Sequence, residues 1–597
     1  MYGYTGKVLR VNLTEKTFKT EELNLDLAKK FIGGRGLGEK YLADEIDPKI
    51  DALSPENKLI FVTGPLSGTP TPTGGRYMVV TKSPLTGTVA CSNSGGRWGA
   101  ELKMAGYDMI ILEGKAAEPV YLYINDGEVQ IKDAAHLWGK VTSETTQILT
   151  DELGDKVKVA NIGPAGEKLS RVAAVMNDLD RAAGRSGVGA VMGSKNLKAI
   201  AVRGTGKPAI ANPEKLKEVV ASCNKKIREN GVTGQGLPTY GTAVLVNIIN
   251  ENGVFPKNNF QESTFSEAEA ISGETLADKY LIKRVGCYGC PIACGRHCKV
   301  DDLESGGPEY ETIWGFGADC GVSDLGAVIK ANFWSNEMGL DTISASTTIA
   351  AAMELYQKGY IKEEDTDGVP LEFGNAEAVI EWTKRMGLRE GIGDKLAEGS
   401  YRLCESYGVP ELSMSVKKQE LPAYDPRAIQ GQGLAYATSN RGGCHVRAYL
   451  ISPEILGLPE KLDRFSLEGK PTWVKIFQDL TAAIDATGLC LFTSFALGAD
   501  DYAALYSAVT GFEITGNDVL MAGERVWNIE KVFNLAAGIS PAEDTLPKRL
   551  LEEGITDGPS KGNVARLSEL LPAYYAERGW DIQGLPTDER LQLLGLK

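Results

Sequence analysis

Hydrophobic spacing changes once along this chain, near residue 208, and that change restricts the fold more than any other feature. Before it, short β-branched runs alternate with Gly, Pro and Asn turns: Lys7 to Leu13, Lys58 to Thr63, Tyr77 to Thr81, Asp108 to Leu112, Val120 to Ile124, Lys158 to Ile162 and Leu197 to Val202. Such runs predict strands. Beyond it, apolar residues recur at helical spacing in Lys215 to Arg228, Leu325 to Met338, Ile343 to Tyr360, Ala376 to Met386 and Lys395 to Tyr407. The same spacing returns in Trp473 to Thr487, Asp500 to Thr510, Val519 to Ala537 and Val564 to Tyr575. At roughly 150 residues per domain, 597 residues allow about four domains, or fewer large ones. The expectation is an α+β chain, with a sheet-rich domain over 1–208 followed by two mainly α-helical domains over 209–412 and 413–597.

Charge and hydropathy exclude several functions. With 64 Lys and Arg against 79 Asp and Glu, the formal charge is −15. Such a surface repels phosphate backbones, so no nucleic-acid partner is expected. No stretch approaches the ~20 apolar residues that span a bilayer, and Met1 to Lys7 lacks an apolar signal core. The expectation is a cytoplasmic protein with no membrane partner.

Four of the ten cysteines fall within twelve residues, in Cys287-Tyr288-Gly289-Cys290-Pro291-Ile292-Ala293-Cys294 and then Cys298. Converging thiolates select an iron–sulfur cluster or zinc, and the C-x2-C-x3-C spacing does not choose between them. It is the reverse of the C-x3-C-x2-C order of a radical-SAM loop. Spacing alone nominates Cys298 as fourth ligand, and a closed zinc staple of Cys287, Cys290, Cys294 and Cys298 is one reading of it. The remaining Cys91, Cys223, Cys320, Cys404 and Cys444 read as buried apolar thiols.

The sheet-rich part holds three Gly-rich segments with Arg or Asn: Thr73-Gly74-Gly75-Arg76, Ser92-Asn93-Ser94-Gly95-Gly96-Arg97 and Arg181-Ala182-Ala183-Gly184-Arg185-Ser186-Gly187. Glycine lets backbone amides approach a polyanion, and Arg offers a bidentate partner to phosphate. None has the strand-to-helix G-x-G-x-x-G context, and Gly33 to Gly38 does not supply it, which disfavours a nicotinamide site.

Together these segments resemble the tungsten-containing aldehyde:ferredoxin oxidoreductase family, from Gly6-Lys7-Val8-Leu9 through Gly74-Gly75-Arg76 to Asp485-Ala486-Thr487-Gly488-Leu489-Cys490. The resemblance implies a tungsten bis-pyranopterin (tungstopterin) beside a 4Fe-4S cluster, with the two helical domains enclosing the cofactor against the sheets. It assigns Cys287, Cys290, Cys294 and Cys490 to the cluster, in place of Cys298. Asp485 and Leu489, and in the matching half-motif Asn336-Glu337-Met338-Gly339-Leu340-Asp341 the residues Leu340 and Asp341, correspond to pterin contacts. Arg76, Asn93, Gly95, Ala182, Ala183 and Arg185 fall where the family grips the pterin phosphates and a bridging magnesium. Arg447 joins them as a further cofactor contact.

The chain has three histidines, His136, His297 and His445, which limits bases tuned near neutral pH. The resemblance makes His445, in Asn440-Arg441-Gly442-Gly443-Cys444-His445, an active-site residue. It pairs it with Glu311 of Pro308-Glu309-Tyr310-Glu311-Thr312, with Glu309 as the competing register. The implied activity is oxidation of an aldehyde to a carboxylate, with electrons passed through the cluster to ferredoxin or to dedicated electron-transfer subunits. Within the family, reduction of an aromatic ring or another carbonyl is the alternative, and no residue distinguishes tungsten from molybdenum. Lys330 stands where the family can place an acidic metal ligand between two copies, so a bridging-metal dimer is not expected.

Overall fold

The computed structural model describes all 597 residues. Its first part contains two six-stranded sheets. One comprises β1 (Lys7–Asn12), β2 (Thr17–Glu22), β3 (Leu59–Thr63), β4 (Tyr77–Lys82), β5 (Val89–Ser94) and β6 (Met109–Glu113), in the order β2-β1-β6-β3-β4-β5. The other comprises β7 (Val120–Asn125), β8 (Glu128–Asp133), β9 (Lys158–Asn161), β10 (Val175–Asn177), β11 (Arg181–Ala183) and β12 (Leu197–Arg203), in the order β11-β10-β9-β12-β7-β8. All pairs are antiparallel except β1 with β6 and β12 with β7.

Alternation explains why the central strands read as unbroken apolar runs. Leu9, Phe61, Val79 and Ile110 face Leu122, Ile200 and Val202 of the second sheet in one core. Their neighbours Val8, Ile60, Val62, Val80 and Ile111 pack the other way, onto Leu37 and Leu42 of the Gly34–Glu45 helix and onto Ala486, Val526 and Phe533 from the C-terminal part. A strand buried on both faces needs no polar alternation.

Each strand window of the sequence holds a strand, but β2, β5, β8, β10 and β11 lay outside them. β2 is an exposed edge of sequence TFKTEE, and β5 ends in Cys-Ser-Asn-Ser, so neither has the apolar signature. The helical windows hold as well, with Leu325–Met338 matched at both ends. One is corrected: Lys395 to Tyr407 splits into Gly393–Leu396 and Ser400–Ser406 at Gly399, whose φ of +88° interrupts a helix. A small sheet of Leu281–Val285, Gly295–Val300 and Leu303–Gly306 also interrupts the helical part, around the cysteine run.

Candidate active site

Two helix ends meet the two sheets in the same way. The Leu325–Met338 helix stops at Gly339, with φ +71°, and Asp341 then caps the Thr342–Gln357 helix by accepting from Ile343 N at 3.2 Å. The Lys470–Thr487 helix stops at Gly488, with φ +88°, followed by Leu489 and Cys490. Left-handed glycine ends a helix at little cost. Each end abuts a glycine just beyond a strand. A Cβ on Gly163, past β9, would lie 2.4 Å from the Met338 carbonyl carbon, and one on Gly64, past β3, 2.1 Å from that of Thr487. This close approach carries Leu340, Asp341, Asp485 and Cys490 to the wall of one cavity of about 370 Å³.

The Gly-rich segments form the facing wall, through Arg76, Asn93, Gly95, Ala182 and Arg185. Ala183 and Leu489 point into apolar cores, so only their backbone groups remain to a ligand. Asp485 accepts from Asn93 Nδ2 at 3.1 Å, Arg447 Nη1 at 3.0 Å and Arg35 Nη1 at 3.4 Å. Arg35, buried in the helix that follows Gly33, also holds Glu530 at 2.5 Å. Asp341 accepts from Arg185 Nε at 3.1 Å, while the other guanidinium nitrogens of Arg185 reach the Gly443 and Glu420 carbonyls at 2.6 and 2.7 Å.

Arg76 and Arg441 are different, since neither pairs with a carboxylate. Arg76 donates to Asn93 Oδ1 at 3.0 Å and to Cys490 Sγ at 3.1 Å. Arg441 donates to the Cys91 carbonyl at 2.6 Å and to Cys444 Sγ at 3.0 Å, and its Nε has no partner. A buried guanidinium without a counter-ion is costly unless an anion occupies the adjoining space. Cys444 thereby departs from the apolar thiol read in the sequence. Burial alone would raise it, and the Arg441, Arg447 and Arg185 guanidiniums bring it below the usual thiol value.

Cys287, Cys294 and Cys490 lie within electrostatic reach of Arg76, and Cys290 within reach of Cys490 and Cys287. Burial pushes the Cys290 and Cys294 thiols up, helped by Cys490 at the first and by Glu309 and then Cys490 at the second. Burial works against the Arg76 charge, and Cys490, Cys287 and Cys294 more than restore it. Cys298 is elsewhere. It sits fully buried in the Gly295–Val300 strand, in register with Ser305, inside the large helical core. The local preference for Cys298, and with it the zinc staple, is therefore corrected: alternation along the strand turns this sulfur inward, against Gly307.

Glu311 lies in the first turn of the Tyr310–Phe316 helix and His445 in the short His445–Arg447 turn after Gly442-Gly443. Glu311 Oε2 accepts from Ala423 N at 2.9 Å, while Oε1 has no hydrogen bond and stands 3.5 Å from His445 Nε2. Burial, against the Ala423 hydrogen bond, raises the Glu311 carboxyl to about 8. Burial and the Arg185 and Arg441 charges hold His445 well below its usual value, and its Nδ1 has no partner. The two are a neutral acid and a neutral imidazole rather than an ion pair. Glu309, the competing register, occupies the N-cap position without a side-chain cap bond; it accepts from Thr242 Oγ1 at 2.6 Å, and its side chain is 45% exposed.

An aromatic wall flanks His445. The Tyr424 and Tyr449 rings lie 5.9 and 6.1 Å from the imidazole, and Phe495 lies 5.9 Å from Tyr449. These residues escaped the sequence reading because aromatics at irregular spacing resemble ordinary core. Arg35 and Arg441 escaped as site residues, although each stands beside a glycine pair.

Residues 8–204 match the N-terminal domain of aldehyde ferredoxin oxidoreductase, and residues 218–596 match its domains 2 and 3. The chain belongs to this family. It is 56% identical to the tungsten-containing aldehyde ferredoxin oxidoreductase of Pyrococcus abyssi, with 100% of both chains covered. Its identity to the enzyme of the same name in Pyrococcus furiosus is also 56%, over 100% of this chain and 99% of that one. Among solved structures it is similar to the active-site complex BamBC of benzoyl coenzyme A reductase in complex with 1,5-dienoyl-CoA. That likeness has a TM-score of 0.87 at 28% identity, covering 100% of this chain and 97% of the other. Membership makes the chain an oxidoreductase, and the aldehyde ferredoxin oxidoreductases share twice the identity of the benzoyl coenzyme A reductase complex. No helix is long and apolar enough to cross a membrane.

Proposed function

We propose that this member of the aldehyde ferredoxin oxidoreductase family oxidises apolar aldehydes to carboxylic acids at a tungsten bis-pyranopterin, and passes the electrons through a 4Fe-4S cluster to ferredoxin or a dedicated electron-transfer subunit. One observation carries the reading. A single cavity brings the Glu311–His445 pair and the Arg76–Cys490 contact together.

The residues fit the cofactor. Arg441 is buried and Arg76 half-buried, and neither cation has a carboxylate partner; Arg447 borders the same space, and Asp341 and Asp485 would accept from pterin N–H groups. Asn93, Gly95 and the Ala182 to Arg185 backbone suit the phosphates and a bridging magnesium. No three His, Cys, Asp or Glu side chains converge as one metal ion requires. Cys287, Cys290, Cys294 and Cys490 are the thiols that would hold a 4Fe-4S cluster. When bound, the tungsten supplies a Lewis acid, an exchangeable oxygen ligand and a two-electron sink.

The protein's own part is to orient and to move protons. The neutral carboxyl of Glu311 donates to the aldehyde oxygen, and the free imidazole nitrogen of His445 accepts a proton as water adds at the carbonyl carbon. The Tyr424, Tyr449 and Phe495 wall binds the apolar end of the substrate and excludes bulk water. Ten free thiols, four of them grouped for metal, suit a reducing compartment, and the cytoplasm is the proposed location. Aldehyde-dependent reduction of methyl viologen by tungsten-loaded protein tests the proposal. Aldehyde oxidation with stoichiometric dye reduction supports it, and fully loaded protein that reduces no dye with any aldehyde overturns it.

A further inference from the structure

The surface that leads into the cysteine run runs against the charge of the whole. The chain carries −15 overall, yet the strand Leu281–Val285 and its approach present Lys279, Lys283 and Arg284 to solvent, with Ile282 47% exposed among them. This strand is the edge of its three-stranded sheet, bonded only to Gly295–Val300, so its outer edge is unpaired. Lys299 of the same sheet is matched by Glu304, and Asp301 in the turn beyond it takes Lys330 of the Leu325–Met338 helix. Lys279, Lys283 and Arg284 make no ion pair.

A fourth cation comes from a different element. Arg97, exposed at the start of the Trp98–Met104 helix, stands within electrostatic reach of Tyr288, while Arg284 stands within reach of Arg296. Tyr288 N donates to the Gly96 carbonyl at 3.0 Å, so Arg97 adds a cation beside the Cys287 to Cys294 loop that follows Arg284 in the chain. In that loop Gly289 and Pro291 are exposed and the three thiols half-buried, whereas Cys490, on the cavity side, is 7% exposed. The loop is thus where the thiols come to the solvent-facing side. Protection of an open strand edge accounts for a lysine there. It does not account for Arg97, which belongs to no strand.

We propose that this open sheet edge, along which Ile282, Lys283 and Arg284 are exposed, with Lys279 before it and Arg97 beside the loop that follows, docks an acidic one-electron carrier protein. The inference rests on the cluster and carrier reading given above and adds where the carrier sits. Aldehyde and water give the carboxylic acid, two protons and two electrons, and two oxidised carriers leave in turn with one electron each, with no bond made at the docking face. An acidic carrier meets an acidic enzyme productively only where the local charge is reversed, and unpaired cations beside an exposed apolar side chain provide both steering and contact.

The test uses the tungsten-loaded holoenzyme and an acidic ferredoxin, with methyl viologen as the small acceptor. Lys283→Glu with Arg284→Glu, and separately Lys279→Glu, should raise the KM for ferredoxin about tenfold at low ionic strength for the double variant and less for the single one. The difference should shrink at high salt, and viologen-coupled turnover should stay at the wild-type rate. Lys16→Glu, in the turn before β2 at the far edge of the first sheet from β5, should change neither. An unshifted KM in variants that reduce viologen normally would overturn the docking face alone. Wild-type enzyme that turns over with viologen and reduces no ferredoxin would instead overturn the carrier reading beneath it.

Discussion

Glu311 Oε1 lies 3.5 Å from His445 Nε2, and burial holds both groups in their neutral forms. An acid and a base that face one cavity without neutralising each other can serve opposite steps of one proton transfer. Glu311→Gln keeps the shape and the Ala423 contact while removing the proton, and His445→Ala removes the acceptor. Each should lower turnover by about 10²-fold or more while tungsten and iron per chain stay at wild-type levels. Steady-state rates beside metal analysis check this, and wild-type rates in both variants would remove the assignment.

The same pair sets a pH dependence. The Glu311 carboxyl ionises near pH 8 in the fold, against 4.5 when unburied. Its acid form is therefore the folded protein's form through neutrality, and turnover should fall as pH rises through about 8. Stability carries the same sign: a raised pKa contributes fully below 4.5 and its contribution is lost as pH passes through about 8. Glu311→Gln should thus melt higher than wild type at pH 9 and about equal to it at pH 4. An unchanged alkaline limb of kcat in active Glu311→Gln protein would assign that limb to another group.

Arg76 links the Gly-rich wall of the cavity to the sulfur set, through Asn93 and Cys490. Arg76→Leu keeps all four thiols and deletes the link. Iron content should hold, while single-turnover reduction of the cluster by aldehyde, followed by visible bleaching, slows about tenfold. Bleaching at the wild-type rate would make Arg76 a structural cation only.

The sheet-to-helix change was legible because the central strands are buried on both faces and read as unbroken apolar runs. β2 and β5 were not, because an exposed edge and a polar site-lining strand lack that signature. At the site, motif residues such as Asp341 and Asp485 were legible since a helix stop and a cap fix local sequence. Arg441 and Tyr449 were not, because their roles come from chain segments that meet only in the fold.

Cys298 shows where local spacing misleads, and metal content separates the two candidates for a fourth ligand. Cys490→Ala should drop iron well below four per chain, or leave a labile cluster. Cys298→Ala leaves only a small cavity in the helical core, costing about 1–2 kcal/mol, and should keep full iron. Inductively coupled plasma analysis of anaerobically purified protein reads both, and the reverse pattern would restore Cys298 as ligand.

The cavity wall from Asp485 to Cys490 is set by how close a helix end comes to a strand end. A Cβ at Gly64 would fall 2.1 Å from both the carbon and the oxygen of the Thr487 carbonyl, backbone atoms that cannot rotate away. Relief requires the Asp485 to Cys490 segment to retreat from β3, which would stretch the Leu66 N to Thr487 O bond of 3.0 Å and the Cys490 N to Thr73 Oγ1 bond of 3.0 Å. Gly64→Ala should therefore lose tungsten and iron together, although it touches neither the cavity nor a thiol. Gly127→Ala is the control: it sits at φ +93° in the turn between β7 and β8, with nothing within 4 Å of its Cβ, so it adds strain but no clash. Metal loss in the first variant with full loading in the second would establish close approach, rather than loss of glycine flexibility, as what sets the site; full loading in both would refute it.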